Sequence, residues 1–270
     1  FDDLLIELKT QVLDTGAFIR RERQIFSHAK SEIKGKNDLV SYVDRTAEQQ
    51  LVEKCRELIP NAGFIREEGD NIITDSPFRW IIDPLDGTTN FVFGLPVYSI
   101  SLALQYQERS VIGIVYEINQ DELFCAIEGQ GATLNGEPIA VRDNHVLQQA
   151  LVATGFPFRK FGHVEAYLKL LEHFMRHTRG IRRLGSAAVD LAYVACGRFD
   201  GYFESNLSAW DVAAGELLVR EAGGSVTDYK GTEDYIFGKA ICASNSHLHP
   251  EFLDLIQLFN KYNGKYVSDR

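Results

Sequence analysis

Residues 80–104, WIIDPLDGTTNFVFGLPVYSISLAL, constrain this chain more than any other stretch, because one apolar strand must deliver two carboxylates and a glycine turn to the same corner. Trp80, Ile81 and Ile82 read as the end of a buried strand. Asp83 is then held extended because it precedes Pro84, and the chain is expected to stop and turn there. Asp86 follows three residues after Asp83, and Gly87 lets the backbone approach a ligand closely. Residues 88–91 open a short helix whose free N–H groups favour an anion, a phosphate above all. Carboxylates and phosphate repel each other, and a hard cation between them reconciles the two, since magnesium takes oxygens from one or two carboxylates, waters and phosphate. Taken alone, D-P-x-D-G also fits a plain turn in which Pro and Gly set the shape and Asp bonds nearby backbone.

A chain of 270 residues, 45% hydrophobic and 24% charged, suits one large or two intimate globular units with a sizeable core. With 38 acidic against 28 basic side chains and a formal net charge of -10, direct nucleic-acid binding is not expected, because phosphate backbones demand a basic face. A small phosphate remains compatible if metal ions invert the field locally. Cys55, Cys125, Cys196 and Cys242 are widely spaced, which indicates neither a zinc site nor a disulfide framework and favours a reduced, cytoplasmic protein. No apolar run approaches a membrane span, and the first residues read as an amphipathic helix rather than a signal peptide.

Leu4, Leu5, Leu8, Val12, Leu13 and Ile19 recur at helical spacing, giving a first helix that runs into the charged Arg20–Arg23 segment. Residues 34–38 read as a loop, and Asp44 as the N-cap of a second helix with Ala47, Leu51, Val52, Cys55 and Leu58 inward and its end near Pro60. Phe64 and Ile65 suggest a short strand leading to Glu67 and Glu68. Tyr98, Ile100, Leu102 and Leu104 alternate with the small Ser99, Ser101 and Ala103, the period of a strand with one tightly packed face. Strands at 111–116, 123–127 and 132–134, a turn at Asn135-Gly136 and a strand at 139–141 complete an antiparallel meander. The polar residues 144–149 mark a boundary between an N-terminal unit, 1–145, and a C-terminal unit, 146–270, which together make one catalytic body. Beyond it the pattern gives strands at 151–154, 201–204 and 240–243. Helices are expected at 164–177, 185–194, from Trp210-Asp211 to Gly223-Gly224, and 250–262. On position alone Asp211 reads as an N-cap.

DPLDGTTNF, with Glu67 and Glu68 upstream and WDVAAGELLVREAGG downstream, resembles the inositol monophosphatase family of magnesium-dependent, lithium-sensitive phosphatases. Three separated motifs stand in the right order, over residues 36–245. The resemblance implies a layered α-β-α-β-α sandwich with an antiparallel N-terminal sheet and a mixed C-terminal sheet. It implies a metal shell of Glu67, Asp83, the Leu85 carbonyl, Asp86 and Asp211, all oxygen donors, which suit two or three Mg2+ ions, with Mn2+ able to substitute. Glu67, Thr88 and Asp44 are implied to orient and deprotonate the attacking water. The substrate site it implies comprises Leu85, Asp86, Gly87, Thr88, Gly185, Ser186, Ala187, Glu204 and Asp211, with the Gly87 and Thr88 amides on the phosphate and residues 185–187 and Glu204 on the alcohol side.

The expected reaction is in-line hydrolysis of an inositol monophosphate by a water nucleophile, with no covalent intermediate, in a homodimer acting on a small phosphorylated polyol. Fructose-bisphosphatase and histidinol-phosphate phosphatase activities are the nearest rivals. Adenosine bisphosphate nucleotidase ranks lower, because Thr89-Asn90-Phe91 stands where that group carries Lys-Glu. A role of another class, association with the transcription machinery, is shared by some bacterial proteins that resemble this chain. Ser205-Asn206 and Ala209 depart from the family pattern, which makes substrate preference the least constrained feature. His173 and His177, one helical turn apart, lack a third ligand in sequence and read as surface, and Arg179, Arg182 and Arg183 read as a subunit or surface patch rather than a phosphate clamp.

Overall fold

A computed structural model describes residues 1–25, 31–35, 38–157 and 164–261. Helix α1 (Asp2–Ile25) is followed by the antiparallel pair β1 (Ser31–Gly35) and β2 (Asp38–Ser41) and by α2 (Tyr42–Leu58). The loop expected at 34–38 is therefore strand on both sides, with Lys36 and Asn37 outside the described residues. Strands β3 (Gly63–Arg66), β4 (Phe78–Asp86), β5 (Ser99–Tyr106), β6 (Arg109–Glu117), β7 (Glu122–Ile127), β8 (Gly131–Leu134) and β9 (Glu137–Ile139) lie in sequence order in one seven-stranded sheet, with the short helix α3 (Thr88–Phe93) between β4 and β5. Only β3 and β4 are parallel in it; every other pair is antiparallel. The strand expected to begin at Ile139 ends there instead, because residues 137–139 pair directly with β8 across the Asn135-Gly136 turn.

The second sheet has the order β11-β10-β12-β14-β13. It is built from β10 (Leu151–Thr154), β11 (Gly180–Arg182), β12 (Gly201–Ser205), β13 (Gly224–Thr227) and β14 (Ala240–Asn245), and is mixed: β10 runs parallel to β11 and β12, whereas β14 is antiparallel to β12 and β13. Four helices accompany it, α4 (Val164–His177), α5 (Ala187–Ala195), α6 (Ala209–Glu221) and α7 (His249–Lys261). Tyr262, expected at the end of α7, lies outside the described residues.

Three separate cores show how the layers stack. Leu8, Val12 and Ile19 of α1 and Ala47, Leu51 and Cys55 of α2 pack with Trp80, Ile82, Ile100, Leu102 and Leu104 on the outer face of the first sheet. Ile81, Ala103 and Val115 point the other way, onto α5 and α6, whose opposite side meets Ala153, Tyr202, Ile241 and Ala243 of the second sheet. Phe203 and Cys242 on that sheet's outer face meet Leu170 and Phe174 of α4 and Phe252 and Ile256 of α7. The result is the expected α-β-α-β-α sandwich. Its middle layer is thin because α5 and α6 are rich in alanine, which allows close approach: a Cβ on Gly113 of β6 would stand 2.7 Å from the Ala214 carbonyl.

Candidate active site

Strand β4 brings two acids to one face by breaking its own regularity. Side chains alternate along a strand, so residues three apart ought to face opposite ways. Asp83 is paired with Ser101 of β5 and Asp86 with Ser99, so three steps on β4 match two on β5. The extra residue is a bulge, and it returns Asp86 to the face of Asp83 and Ile81, towards α5 and α6. Pro84 has no N–H to leave unpaired there, and the Leu85 N–H donates to Asp83 Oδ1 at 3.0 Å. The expectation that the strand ends at Asp83 is thus corrected: pairing resumes at Asp86, and the turn comes at Gly87.

Gly87 has φ 97° and caps α3, a conformation that favours glycine, and a Cβ there would lie 3.1 Å from the Val97 carbonyl and 3.3 Å from that of Gly185. Gly185 also has positive φ, 95°, so two glycine turns from different layers lie back to back. The Asn90 amide locks them together by donating to the carbonyls of Val97 (2.7 Å) and Leu184 (2.8 Å). Ser186 caps α5. Its hydroxyl donates to Asp86 Oδ2 at 2.7 Å, and the Ala188 N–H donates to the same oxygen at 2.7 Å, so Asp86 is seated on the start of α5. Ala187, the first residue of α5, packs into the central core. The Thr88 hydroxyl donates to the Leu85 carbonyl at 3.1 Å.

Asp211 comes from the first turn of α6. It is not the N-cap, which is Ser208; Asp211 is the third helical residue and reaches back to accept from the Ser208 N–H at 2.6 Å. The same helix start is pinned to β5, where the Ser101 hydroxyl donates to the Trp210 carbonyl at 2.9 Å. Carboxylate oxygens of Asp83, Asp86 and Asp211 converge to within 4.8 Å of one another. Glu67 continues β3 by one residue, its N–H donating to Ile82 O at 3.3 Å, and its carboxyl is hydrogen-bonded to that of Asp83. Asp44 also proves not to be a cap: α2 starts two residues earlier, at Tyr42, directly after β2, which leaves Asp44 buried in the first turn with its charge felt at Glu67.

Burial dominates the proton affinity of these groups, and mutual repulsion adds to it. Asp83 is held well above the usual carboxylate range by burial and then by Glu67, Asp86 and Asp211. Glu67 is raised by burial, then by Asp211, Glu68 and Asp44. Burial lifts Asp86 to about 6 against the opposing bonds from Ser186 and Ala188 and the charge of Arg183. Carboxylates this close, whose proton affinity burial and mutual repulsion raise, fit a multivalent cation, and a donor set of oxygens alone selects a hard one. His173 and His177 stack on α4 at 4.2 Å, with no third ligand converging on them among the described residues.

Glu204 stands on β12 on the far side of Asp86. The Tyr202 hydroxyl donates to its Oε2 at 2.6 Å, and burial lifts its carboxyl to about 7 against that bond and Arg183. A Cβ on Gly155 would fall 1.8 to 2.0 Å from the Glu204 carboxyl atoms, so Glu204 occupies the space a side chain at 155 would need. Asn90, Gly155, Asp190 and Tyr202 join the site beyond the residues expected from sequence, as does Arg183, expected in a subunit or surface patch. Arg183 is exposed, yet its charge reaches Asp86, Glu204 and Asp190. Asp190 carries a visible signal, one acid inside the apolar helix AAVDLAYVA; it is buried, and its Oδ1 has no hydrogen-bond partner among the described residues.

Residues 3–261 match the model of the inositol monophosphatase family. The chain is 42% identical over 255 residues to the inositol-1-monophosphatase of Rhizobium meliloti, covering 94% of this chain and 96% of that protein. It is 44% identical over 213 residues to the Nus factor SuhB of Salmonella typhimurium LT2, covering 78% and 80%. The crystal structure of the extragenic suppressor protein suhB of Bartonella henselae superposes with a TM-score of 0.90 at 39% identity, covering 94% of this chain and 98% of that one. Fold, acidic cluster and sequence agree: the chain belongs to the inositol monophosphatase family and is a phosphoric monoester hydrolase.

Proposed function

We propose that this phosphatase hydrolyses inositol monophosphate in a magnesium-dependent, in-line reaction of water at phosphorus. The observation that carries the reading is the convergence of Asp83, Asp86 and Asp211 within 4.8 Å, with Glu67 bonded to Asp83, beside the positive-φ turn at Gly87. Glu67, Asp83, the Leu85 carbonyl, Asp86 and Asp211 would hold Mg2+, with Mn2+ as a substitute. When bound, the ion supplies positive charge against the phosphate oxygens and lowers the pKa of water. Glu67 and Thr88, supported by Asp44, orient the attacking water, and the Glu67 carboxylate receives its proton. The Gly87 and Thr88 amides hold the phosphate while the bond to the alcohol oxygen breaks and that oxygen takes up a proton from solvent water. Residues 185–187 line the alcohol side, where Glu204 accepts hydrogen bonds from the polyol hydroxyls.

Phosphate release from inositol 1-phosphate, fructose 1,6-bisphosphate, histidinol phosphate and adenosine bisphosphate tests the substrate. Inositol 1-phosphate is expected to have the highest kcat/KM, and a tenfold advantage for another ester would replace it. Lithium is expected to inhibit at millimolar levels, as the family resemblance implies. The relatives named Nus factor SuhB favour a second role for the same chain, association with the transcription machinery. Co-purification with RNA polymerase that survives Asp83→Asn would separate that role from catalysis.

A further inference from the structure

We propose a second metal site, chemically distinct from the carboxylate cluster, in which Asp143, His145 and His247 bind a borderline divalent transition ion such as Zn2+. The three residues come from two chain segments, the connection between the sheets and the turn after β14. His145 Nε2 lies 3.0 Å and His247 Nε2 3.4 Å from the same oxygen, Asp143 Oδ1, with the two imidazole rings packed at 3.7 Å between centroids. One ligand atom from each residue falls within 4.8 Å of the others.

Both segments are held by one buried residue, Asp200, which gives the site a rigid base. The Asn144 amide donates to Asp200 Oδ1 at 2.8 Å, and the Asn245 N–H donates to the Asp200 carbonyl at 3.0 Å. Asp200 Oδ2 accepts from the Leu151 N–H at 2.8 Å and lies 3.6 Å from the Arg142 guanidinium. Each turn is then closed by its own side chain: Asn144 Oδ1 accepts from the Val146 N–H at 3.0 Å, and Asn245 Oδ1 from the N–H groups of His247 at 3.1 Å and Leu248 at 3.0 Å. Asp143 and His145 flank one anchor, and His247 follows the other by two residues, so the ligands are positioned by backbone rather than by their own flexibility.

Two imidazoles and a carboxylate with further positions open to water are a zinc-type donor set. Imidazole nitrogen does not suit magnesium, so ligand chemistry keeps Mg2+ to the carboxylate cluster. The ligand side chains are 85%, 60% and 51% exposed for Asp143, His145 and His247, which leaves the ion free to enter and the fold independent of their substitution. An ion there would clip the inter-sheet connection to the end of β14 and stabilise the folded state by an amount that grows with the logarithm of the free ion concentration.

The test uses the whole protein, stripped with a chelator and then saturated with Mg2+ so that the oxygen site is filled. Calorimetric titration with Zn2+ should show one further equivalent. His145→Ala and His247→Ala should each weaken it at least about tenfold while leaving Mg2+-dependent turnover unchanged, since each removes a ligand. In the unsubstituted protein, Zn2+ should shield His145 and His247 from diethylpyrocarbonate, read by peptide mass. The proposal is overturned if no extra equivalent binds, if the double variant His145→Ala/His247→Ala binds it equally well, if His173→Ala/His177→Ala abolishes it instead, or if the two histidines are not shielded.

Discussion

A single inserted residue in β4 decides the chemistry of this protein. Without the Pro84-Leu85 bulge, Asp83 and Asp86 would face opposite sides of the sheet, and the cluster with Asp211 could not form. The motif spacing was legible in the sequence, but its meaning was inverted there: the proline marks a bulge inside a strand rather than a strand end. In the metal-free protein these acids repel, so Asp83→Asn, which keeps an oxygen for the Leu85 N–H, is expected to raise the melting temperature by ~2–4 °C, the shift that about 1 kcal/mol gives in a domain of this size. The same variant should abolish turnover; a lower melting temperature would mean that the carboxylate stabilises the fold. On the substrate side, Glu204→Gln is expected to lower kcat/KM for inositol 1-phosphate about tenfold to a hundredfold, the worth of a charge-assisted bond, and to leave 4-nitrophenyl phosphate almost unaffected. Gly155→Ala should show the same split, because its methyl would occupy the Glu204 carboxyl position. Equal loss on both esters would show that Glu204 acts through the metal site or the fold. Gly155 itself could not be read from sequence, since a glycine after a strand reports nothing of the residue 49 positions later that fills its space.

At the scale of elements, periodicity located the helices and strands with large buried faces, and the failures fall where pairing rather than pattern makes the element. β11 and β13, with the sequences GIR and GSVT, carry no apolar run for the pattern to register and are strands because β10 and β14 offer them an edge. The small face of β5 was legible and explains itself in the fold: Ser99 and Ser101 reach Ser186 and the start of α6, so the helices bearing Asp86's donors and Asp211 dock directly on the strand opposite the bulge. Close docking of that middle layer depends on Gly113. Gly113→Ala places a methyl 2.7 Å from a backbone carbonyl that cannot swing aside, and should cost about 1–3 kcal/mol in urea unfolding. An unchanged midpoint would show that α6 can shift outward freely.

Four acids of the site, Glu67, Asp83, Asp86 and Glu204, bind protons more tightly than free carboxylates do, and the stability of the whole molecule should therefore depend on pH in a direction set by the site. Asp86 is raised by burial from 3.8 to about 6 and Glu204 by burial from 4.5 to about 7, while Asp83 and Glu67 are raised as well. Each group binds its proton more tightly folded than unfolded. Its contribution is present below the unfolded pKa, near 4, and lost as pH rises through the folded value. Chelated protein should accordingly lose melting temperature between about pH 4 and 7, and the gap to the magnesium-loaded protein should widen over the same window; a constant gap would contradict it. The family resemblance points to the five-layer architecture and to Asp44, and Asp190 stands out as one acid in an apolar helix, whereas the approach of Arg183 and Tyr202 to the same acids is a product of tertiary packing with no local signature. The most direct test is phosphate release from inositol 1-phosphate by wild type and by Asp83→Asn/Asp86→Asn, across a magnesium titration and with folding checked by circular dichroism. Turnover saturable in Mg2+ for the wild type and none for a folded double variant is expected; near-wild-type turnover in that variant would contradict the carboxylate cluster as the reaction centre.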